Sequence, residues 1–427
     1  MTSVFIISLV LLLATGVPIF FVLSAAVGLA MWAEGGMPMA IIAERLFAGL
    51  DKFSLMAIPF FILTGNLMNV GGLSRRLVHL ANLVVGRVTG GLGITAVCSC
   101  MFFGAISGSS PATVVAVGSM MYPSLLKGGY GNSFSIGVLI ASGSLGIIIP
   151  PSIVMIVYAA VTGVSVGALF IAGVGAGIAY GFCFIVYSVY YAWRNEVPRG
   201  NVPPWSALGA AVIDASWGLG VPMVVLGGIY AGVFTPTEAA AVSVVYALFV
   251  SAFIYREKTY GELWKTILDS ASATAQIMII LAAASVLSWY LTANGLALET
   301  TEAMLALSDG PVIILMLING AVLIAGMFID AASIMVILGP LLYKVGMQIG
   351  VDPIHLGIIL TVNGAIGMYT PPFGLNLFVA SSLGDVSYGQ AVRGAIPFIF
   401  LGIIGLIIVT YVPAFSMWLP HQVYQGV

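Results

Sequence analysis

From Ile153 to Trp193 the chain reads IVMIVYAAVTGVSVGALFIAGVGAGIAYGFCFIVYSVYYAW, without one charged residue. A helix needs about 20 apolar residues to cross the hydrocarbon core of a bilayer. This single run therefore exceeds one crossing. IPFIFLGIIGLIIVTYVPAF (Ile396 to Phe415) is another such run. Similar segments recur along all 427 residues, of which 61% are hydrophobic and 7% charged, and no stretch is polar enough to make a separate soluble domain. The fold class is all-α and polytopic, with the bilayer as solvent. Met1 to Leu13 lacks the cationic start of a cleaved secretory signal and reads as the beginning of a membrane helix. Cys98, Cys100 and Cys183 all lie in apolar segments, which supports neither a disulfide framework nor a cysteine metal site. No basic patch suggests nucleic acid.

The 13 Lys and Arg residues orient the chain. Arg75, Arg76 and Arg87 fall together, as do Arg194 with Arg199, and Arg256 with Lys258 and Lys265. Placing these groups in the cytoplasm gives spans near 133–162, 166–193, 212–232, 237–255, 265–293, 354–384 and 390–412. Lys127 and Arg393 then lie inside as well, and only Arg45, Lys52 and Lys344 lie outside. The alternation closes only if two blocks, about 90–126 and 311–345, enter and leave on one side as re-entrant hairpins. Each has a polar, small-residue interruption midway: SGSSPAT (Ser107 to Thr113) and IDAAS (Ile329 to Ser333). Residues 4–50 fit either one long helix or two short ones plus an interfacial helix.

Sliding the chain on itself by 221 residues brings SGSLGIIIPPS (Ser142 to Ser152) onto NGAIGMYTPPF (Asn363 to Phe373). The register holds without a gap from Val115/Val336 to Ala159/Ala380, with ten identities over 45 positions. Weak internal symmetry of this kind marks transporter repeats, and the topology makes the two copies inverted. Proline lacks an N–H and displaces the carbonyl four residues back. Pro150 and Pro371 should free the carbonyls of Gly146 and Gly367, and Pro151 and Pro372 those of Ile147 and Met368. An unpaired carbonyl in hydrocarbon costs several kcal/mol, so water, a polar side chain or a cation must lie beside each one. Sodium suits such neutral oxygens. The expected architecture is an inverted repeat with two re-entrant hairpins and two broken helices.

FGAISGSSPATVVAVGSMMYPSL (Phe103 to Leu125), GSLGIIIPPSIVMIVYA (Gly143 to Ala159), GGIYAGVFTPTEAAAV (Gly227 to Val242) and NGAIGMYTPPFGLNLF (Asn363 to Phe378) together resemble the large membrane subunit of TRAP (tripartite ATP-independent periplasmic) transporters. The resemblance covers essentially the whole chain. It implies the ion-transporter superfamily fold and sodium-driven import by an elevator movement, in the bacterial inner membrane. It also implies two partners, a small four-helix membrane subunit and a periplasmic solute-binding protein, with a small carboxylate or sulfonate as cargo and no organic cofactor. The expected division is 1–89 first-half scaffold helices, 90–165 first hairpin and broken helix, 166–297 scaffold helices including the start of the second half, 298–385 second hairpin and broken helix, and 386–427 a C-terminal helix.

The candidate sodium ligands are Ser107, Ser109, Ser110, Gly143 and Gly146 in the first half, and Asp330, Ser333, Gly364, Gly367 and Thr370 in the second. The offset sets Asp330 against Ser109, so the tips match in position and differ in charge. An intramembrane carboxylate is a cation-ligand candidate or a helix cap. Substrate is expected between tips and breaks, touching Ser110, Thr113, Ser144, Asn363, Thr370, Pro371 and Asn376. No Lys or Arg lies in these segments, so half-helix N-termini, hydroxyls and co-bound sodium must meet an anion's charge. Glu238 in TPTEAA reads as a helix cap, while His79, His355 and His421 are scattered. The run GVGAGIAYG reads as packing. A standalone sodium-coupled dicarboxylate symporter of the same superfamily is the alternative. An enzyme would need convergent acid/base or metal residues, and a channel would not need paired breaks.

Overall fold

The computed structural model describes residues 2–35, 38–199, 205–306, 310–384 and 386–423, and among these the regular elements are all helices. Six helices are long and apolar enough to cross a membrane: Phe53–Val70, Val166–Arg194, Ala207–Tyr230, Pro236–Tyr255, Tyr260–Ala293 and Tyr388–Tyr411. Several apolar helices are too short to cross alone, including Gly91–Ser107, Asn132–Ile147, Ile153–Thr162, Pro311–Gly326 and Pro353–Gly367. These are the hairpin arms and the halves of the broken helices. The chain is a multi-pass membrane protein.

The first hairpin joins Gly91–Ser107 to Ser110–Lys127 through Gly108, whose φ of 60° closes the first arm in the left-handed region open to glycine. The second joins Pro311–Gly326 to Ala331–Ile337 and Gly339–Gln348, and those last two pieces meet at 61°. Pro340, in the first turn of the last piece, has no N–H for the carbonyl of Val336, which accounts for a bend that the repeat alone did not predict. The first broken helix runs as Asn132–Gly143, a 3-10 turn Ser144–Ile147, an irregular stretch over both prolines, then Ile153–Thr162. The second runs as Pro353–Gly367, a break, then Leu375–Val379 and a 3-10 turn Ala380–Leu383. Both proline pairs, Pro150–Pro151 and Pro371–Pro372, are cis. In the amino-terminal region the answer is three short helices, Thr2–Ala14, Ile19–Glu34 and Ala40–Leu50.

Each hairpin docks on its broken helix through a pair of glycines. A Cβ on Gly104 would lie 2.7 Å from the Cα of Gly146, and one on Gly367 would lie 2.7 Å from the Cα of Gly326. Backbones touch here without side chains between them. The partner of Gly104 in the other half is thus Gly326, 222 residues on, whereas Gly146 and Gly367 keep the 221-residue offset. Counted from the packing glycine, the second tip is one residue shorter.

The two units point in opposite directions. Arg75 and Arg76 both pair with Glu257 at 2.7 Å, Arg76 also reaches Asp214 at 3.0 Å, and its guanidinium lies 3.8 Å from the centre of the Tyr255 ring. This cluster marks one end of the molecule, next to the last turn of Phe53–Val70. The base of the first hairpin unit meets the end of Val166–Arg194, where Tyr130 and Phe134 stack on Tyr191. The base of the second unit lies at the other end, where the Tyr158 hydroxyl donates to the Pro353 carbonyl at 3.0 Å and Lys52 donates to the Ala160 carbonyl.

Val166–Arg194 leans on the first break. A Cβ on Gly177 would lie 2.5 Å from Ile149, and one on Gly173 would lie 2.7 Å from the Ile148 carbonyl, so the GVGAGIAYG run packs the break. At its far side Tyr180 bonds Tyr369 of the second break, hydroxyl to hydroxyl at 2.6 Å. The sequence-based division put this helix in the scaffold, yet it touches both breaks. Glu238 caps its helix in a reciprocal box with Thr235.

If the glycine pairs set the hairpin docking, Gly104→Val and Gly326→Val each lose about 1–3 kcal/mol through overpacking. Thermal unfolding in detergent should fall in both, while Gly227→Ala, with open space around it, should leave it unchanged.

Candidate functional site

At the first tip, hydroxyls and a carbonyl close a small ring. The Thr113 hydroxyl donates to the Ser109 carbonyl at 2.7 Å, so the 3.0 Å contact between Ser107 Oγ and Thr113 Oγ1 has Ser107 as donor. Gly146 abuts this ring, because a Cβ there would lie 2.7 Å from the Ser109 carbonyl oxygen. Gly65, in Phe53–Val70, lies against the other side, where its Cβ would come 2.8 Å from the Cα of Ser107. Ser107, Ser109, Thr113 and Gly146 therefore converge. Gly143 instead packs on Val114, and the Ser144 hydroxyl turns back to the Ala141 carbonyl at 2.7 Å.

Of the carbonyls freed by proline, one meets a polar side chain, as the sequence reading allows, and two meet backbone N–H groups, which that reading did not foresee. Ile147 accepts from the Ser152 hydroxyl at 2.5 Å. Gly367 accepts from the Thr370 N–H at 3.1 Å, and Met368 from the Asn376 N–H at 2.7 Å. Among the described residues no hydrogen bond reaches the Gly146 carbonyl. A carbonyl has two lone pairs, so the three bonded oxygens keep one free direction each.

At the second tip Asp330 is an N-cap. One carboxylate oxygen accepts from the N–H groups of Ala332 and Ser333 at 3.0 and 3.1 Å, and the other accepts from the Ser333 hydroxyl. The Phe373 N–H donates to the Met327 carbonyl at 3.1 Å and pins the second break to this tip. Gly364 faces Ala331, and the Thr370 hydroxyl back-bonds to Ile366 at 2.7 Å.

One polar joint links the halves. Ser110 Oγ lies 2.8 Å from Asn376 Nδ2 and 3.0 Å from its Oδ1, and the same Nδ2 donates to the Ile140 carbonyl at 2.8 Å; Ser110 and Asn376 are fully buried. Ser110 thus faces the second broken helix rather than its own break. Asn363 belongs to another chain of contacts: its Nδ2 donates to Asn319 Oδ1 at 2.7 Å, and Asn319 Nδ2 donates to Thr410 Oγ1 at 3.1 Å. His355 closes that chain, with Nε2 donating to the Thr410 carbonyl at 3.1 Å and Nδ1 at 2.7 Å from Ser416 Oγ. It is a satisfied core histidine.

Sequence reasoning named Asn363 as a substrate contact and passed over Ser142, its counterpart in the first repeat. Ser142 Oγ and Asn363 Oδ1 occupy equivalent repeat positions, are both buried, and find no hydrogen-bond partner among the described residues. The signal was present in the first letters of the two aligned motifs. Ser152 and the Tyr180–Tyr369 pair were missed as well, because their partners lie across a turn or across helices.

The chain matches the family model described as the tripartite ATP-independent periplasmic transporter, DctM component, over residues 6–415. It is 44% identical over 384 residues to the C4-dicarboxylate TRAP transporter large permease protein DctM of Pseudomonas aeruginosa, covering 89% of each chain. It is 40% identical over 412 residues to the isethionate TRAP transporter permease protein DctMQ of Oleidesulfovibrio alaskensis, spanning 96% of this chain and 64% of that one. In fold it is similar to the crystal structure of the Alcanivorax borkumensis YdaH transporter, with a TM-score of 0.60 at 16% identity over 90% of this chain and 88% of that one.

The joint between the halves can be weighed directly. Asn376→Leu strands the Ser110 hydroxyl and the Ile140 carbonyl, and should cost about 1–3 kcal/mol. A double-mutant cycle with Ser110→Ala, read by unfolding of the purified protein, should be non-additive; additive losses contradict the contact.

Proposed function

This chain belongs to the DctM component family of tripartite ATP-independent periplasmic transporters, and from that membership we propose that it imports a small organic anion, carboxylate or sulfonate, under a sodium gradient. Its matched relatives are transporter permeases, so the chain is a transporter and not an enzyme. Among them are proteins named for a C4-dicarboxylate, isethionate, ectoine and 2,3-diketo-L-gulonate, which supports a small carboxylate or sulfonate as the cargo class without fixing the acid. A periplasmic binding protein delivers it, a small membrane subunit accompanies the chain, and the complex sits in the bacterial inner membrane with the Arg75–Glu257 end in the cytoplasm. The DctMQ relative, of which this chain spans 64%, fits a fusion with such a subunit.

The observation that carries the reading is the pair of hairpin-on-broken-helix units, docked glycine to glycine and pointing opposite ways. In the first unit, Ser107, Ser109 and the unanswered Gly146 carbonyl offer neutral oxygens fit for a hard monovalent cation. In the second, Asp330 with Ser333, Gly364, Gly367 and Thr370 offers a carboxylate and free carbonyl directions. Bound sodium would supply positive charge to a site that has no Lys or Arg of its own. In this reading the carboxylate would draw its hydroxyl and amide donors from Thr113, Ser144, Asn363, Thr370 and the Ser110–Asn376 joint beside Pro371, groups that, apart from the half-buried Thr370, are buried in the present conformation and open only when the hairpin tips part.

The moving body in this reading comprises the hairpins, the broken helices, Val166–Arg194 and Tyr388–Tyr411, because the last two pack on the breaks. The remaining helices form the frame. This redraws the sequence-based division, which had placed 166–297 with the scaffold and left 386–427 apart. A standalone symporter of the same superfamily would carry the same units, and dependence on a binding protein separates the two.

The test is uptake of succinate and isethionate by proteoliposomes holding the large and small subunits, with the binding protein outside. Uptake should require the sodium gradient and the binding protein together. Ser107→Ala and Asp330→Ala should each raise the sodium concentration for half-maximal uptake, on the order of tenfold for a lost ligand worth about 1.4 kcal/mol. Unchanged sodium dependence in both variants contradicts the site, and uptake without a binding protein contradicts the tripartite reading.

A further inference from the structure

The end of the molecule away from the Arg75–Glu257 cluster is poor in cations, yet two of its few meet at one crevice. Two cavities, of about 770 and about 290 Å³, open there between the frame and the moving body. They share Lys52, Ala160 and Val161 as lining. On the frame side lie Lys52, Arg45, Thr237, Ser288 and Trp289; on the other side the wall is the end of Ile153–Thr162 and the turn that follows it. The charged side chains lining the two spaces are Lys52 and Arg45, with no Asp or Glu among the lining residues.

Among the described residues Lys52 has no carboxylate partner, and Arg45 has only a long, exposed one. The Lys52 ammonium donates to the carbonyl of Ala160, in the last turn of Ile153–Thr162, where the helix end attracts positive charge. Arg45 has a side chain 38% exposed, pairs with Glu44 at 4.0 Å and lies 5.6 Å from the centre of the Trp289 ring; among the described residues its Nε alone is buried without a hydrogen-bond partner. An unpartnered N–H on a guanidinium that lines such a space leaves a donor free for an anion.

We infer that Arg45 and Lys52 form an outer vestibule that binds the carboxylate or sulfonate of the cargo before it reaches the hairpin tips. This rests on the organic-anion reading of the function. Lys52 exchanges the Ala160 carbonyl for the anion. Because that bond ties the frame to the moving body, arrival of the anion and release of the tie are one event. The vestibule also supplies what the inner site lacks, a fixed positive charge that raises the local anion concentration, with an effect that falls as salt rises.

The test needs no transport. The purified full chain is methylated reductively at its lysines, and the rate at Lys52 is read by mass spectrometry with Lys127, Lys258, Lys265 and Lys344 as internal controls. Succinate or isethionate should slow labelling of Lys52 several-fold and leave the other four unchanged, and neutral succinamide should do nothing. In proteoliposomes Lys52→Met and Arg45→Met should raise the KM for the acid about tenfold and flatten its dependence on ionic strength, with Lys52→Arg close to the unsubstituted protein. Unchanged labelling by an acid that the complex does take up overturns the vestibule. So does a Lys52→Met defect confined to the amount of binding protein required, which would make Lys52 a docking contact for an acidic side chain of that protein. If the complex takes up neither acid, the organic-anion reading fails, while the labelling result still decides whether the crevice holds anions.

Discussion

A backbone N–H or C=O left unpaired in hydrocarbon costs several kcal/mol, and that cost shapes this protein more than any other term. A chain this apolar could have met it with plain helices. It breaks two of them with proline pairs instead, and the exposed groups must be answered locally. The Ser152 hydroxyl, the Thr370 N–H and the Asn376 N–H each take one of the freed carbonyls. The hairpins bring their own caps, a left-handed glycine at the first tip and the Asp330 carboxylate at the second. Among the described residues, the Gly146 carbonyl in the first break and the oxygens of Ser142 and Asn363 at matching positions are left without a hydrogen bond.

The two halves solve one problem with different chemistry. Both dock a hairpin on a break through bare glycine backbones, which fixes tip and break within hydrogen-bonding range. The first tip then uses hydroxyls, and the second uses a carboxylate tied up by its own helix. A cap of this kind holds the negative charge in place without a cationic partner, and a monovalent cation could complete it from the open side. The Ser110–Asn376 joint crosses from one half to the other, so a shift of one break is felt by the opposite tip.

Much of this was legible in the sequence. Hairpins followed from charge placement, since Arg75, Arg194 and Arg256 fix the crossings on either side of them, and the breaks followed from the repeated glycine and proline pattern. Those are local or periodic signals. The bend before Gly339 was visible only as a proline in a segment already assigned to a hairpin arm. The Ser110–Asn376 bond joins residues 266 apart, and no periodicity encodes it. Val166–Arg194 was placed with the scaffold because its apolar composition says that it crosses and not what it touches; only its glycines, read against Ile148 and Ile149, show the contact with the break.

Cation holding by the broken backbone is the proposal most directly open to measurement, through amide hydrogen exchange of residues 144–152 and 367–376 in sodium and in choline. Ligation that clamps each break on its hairpin tip predicts slower exchange in sodium in both stretches, with Tyr260–Ala293 unaffected. Identical exchange in the two salts would mean that the freed carbonyls serve the fold alone.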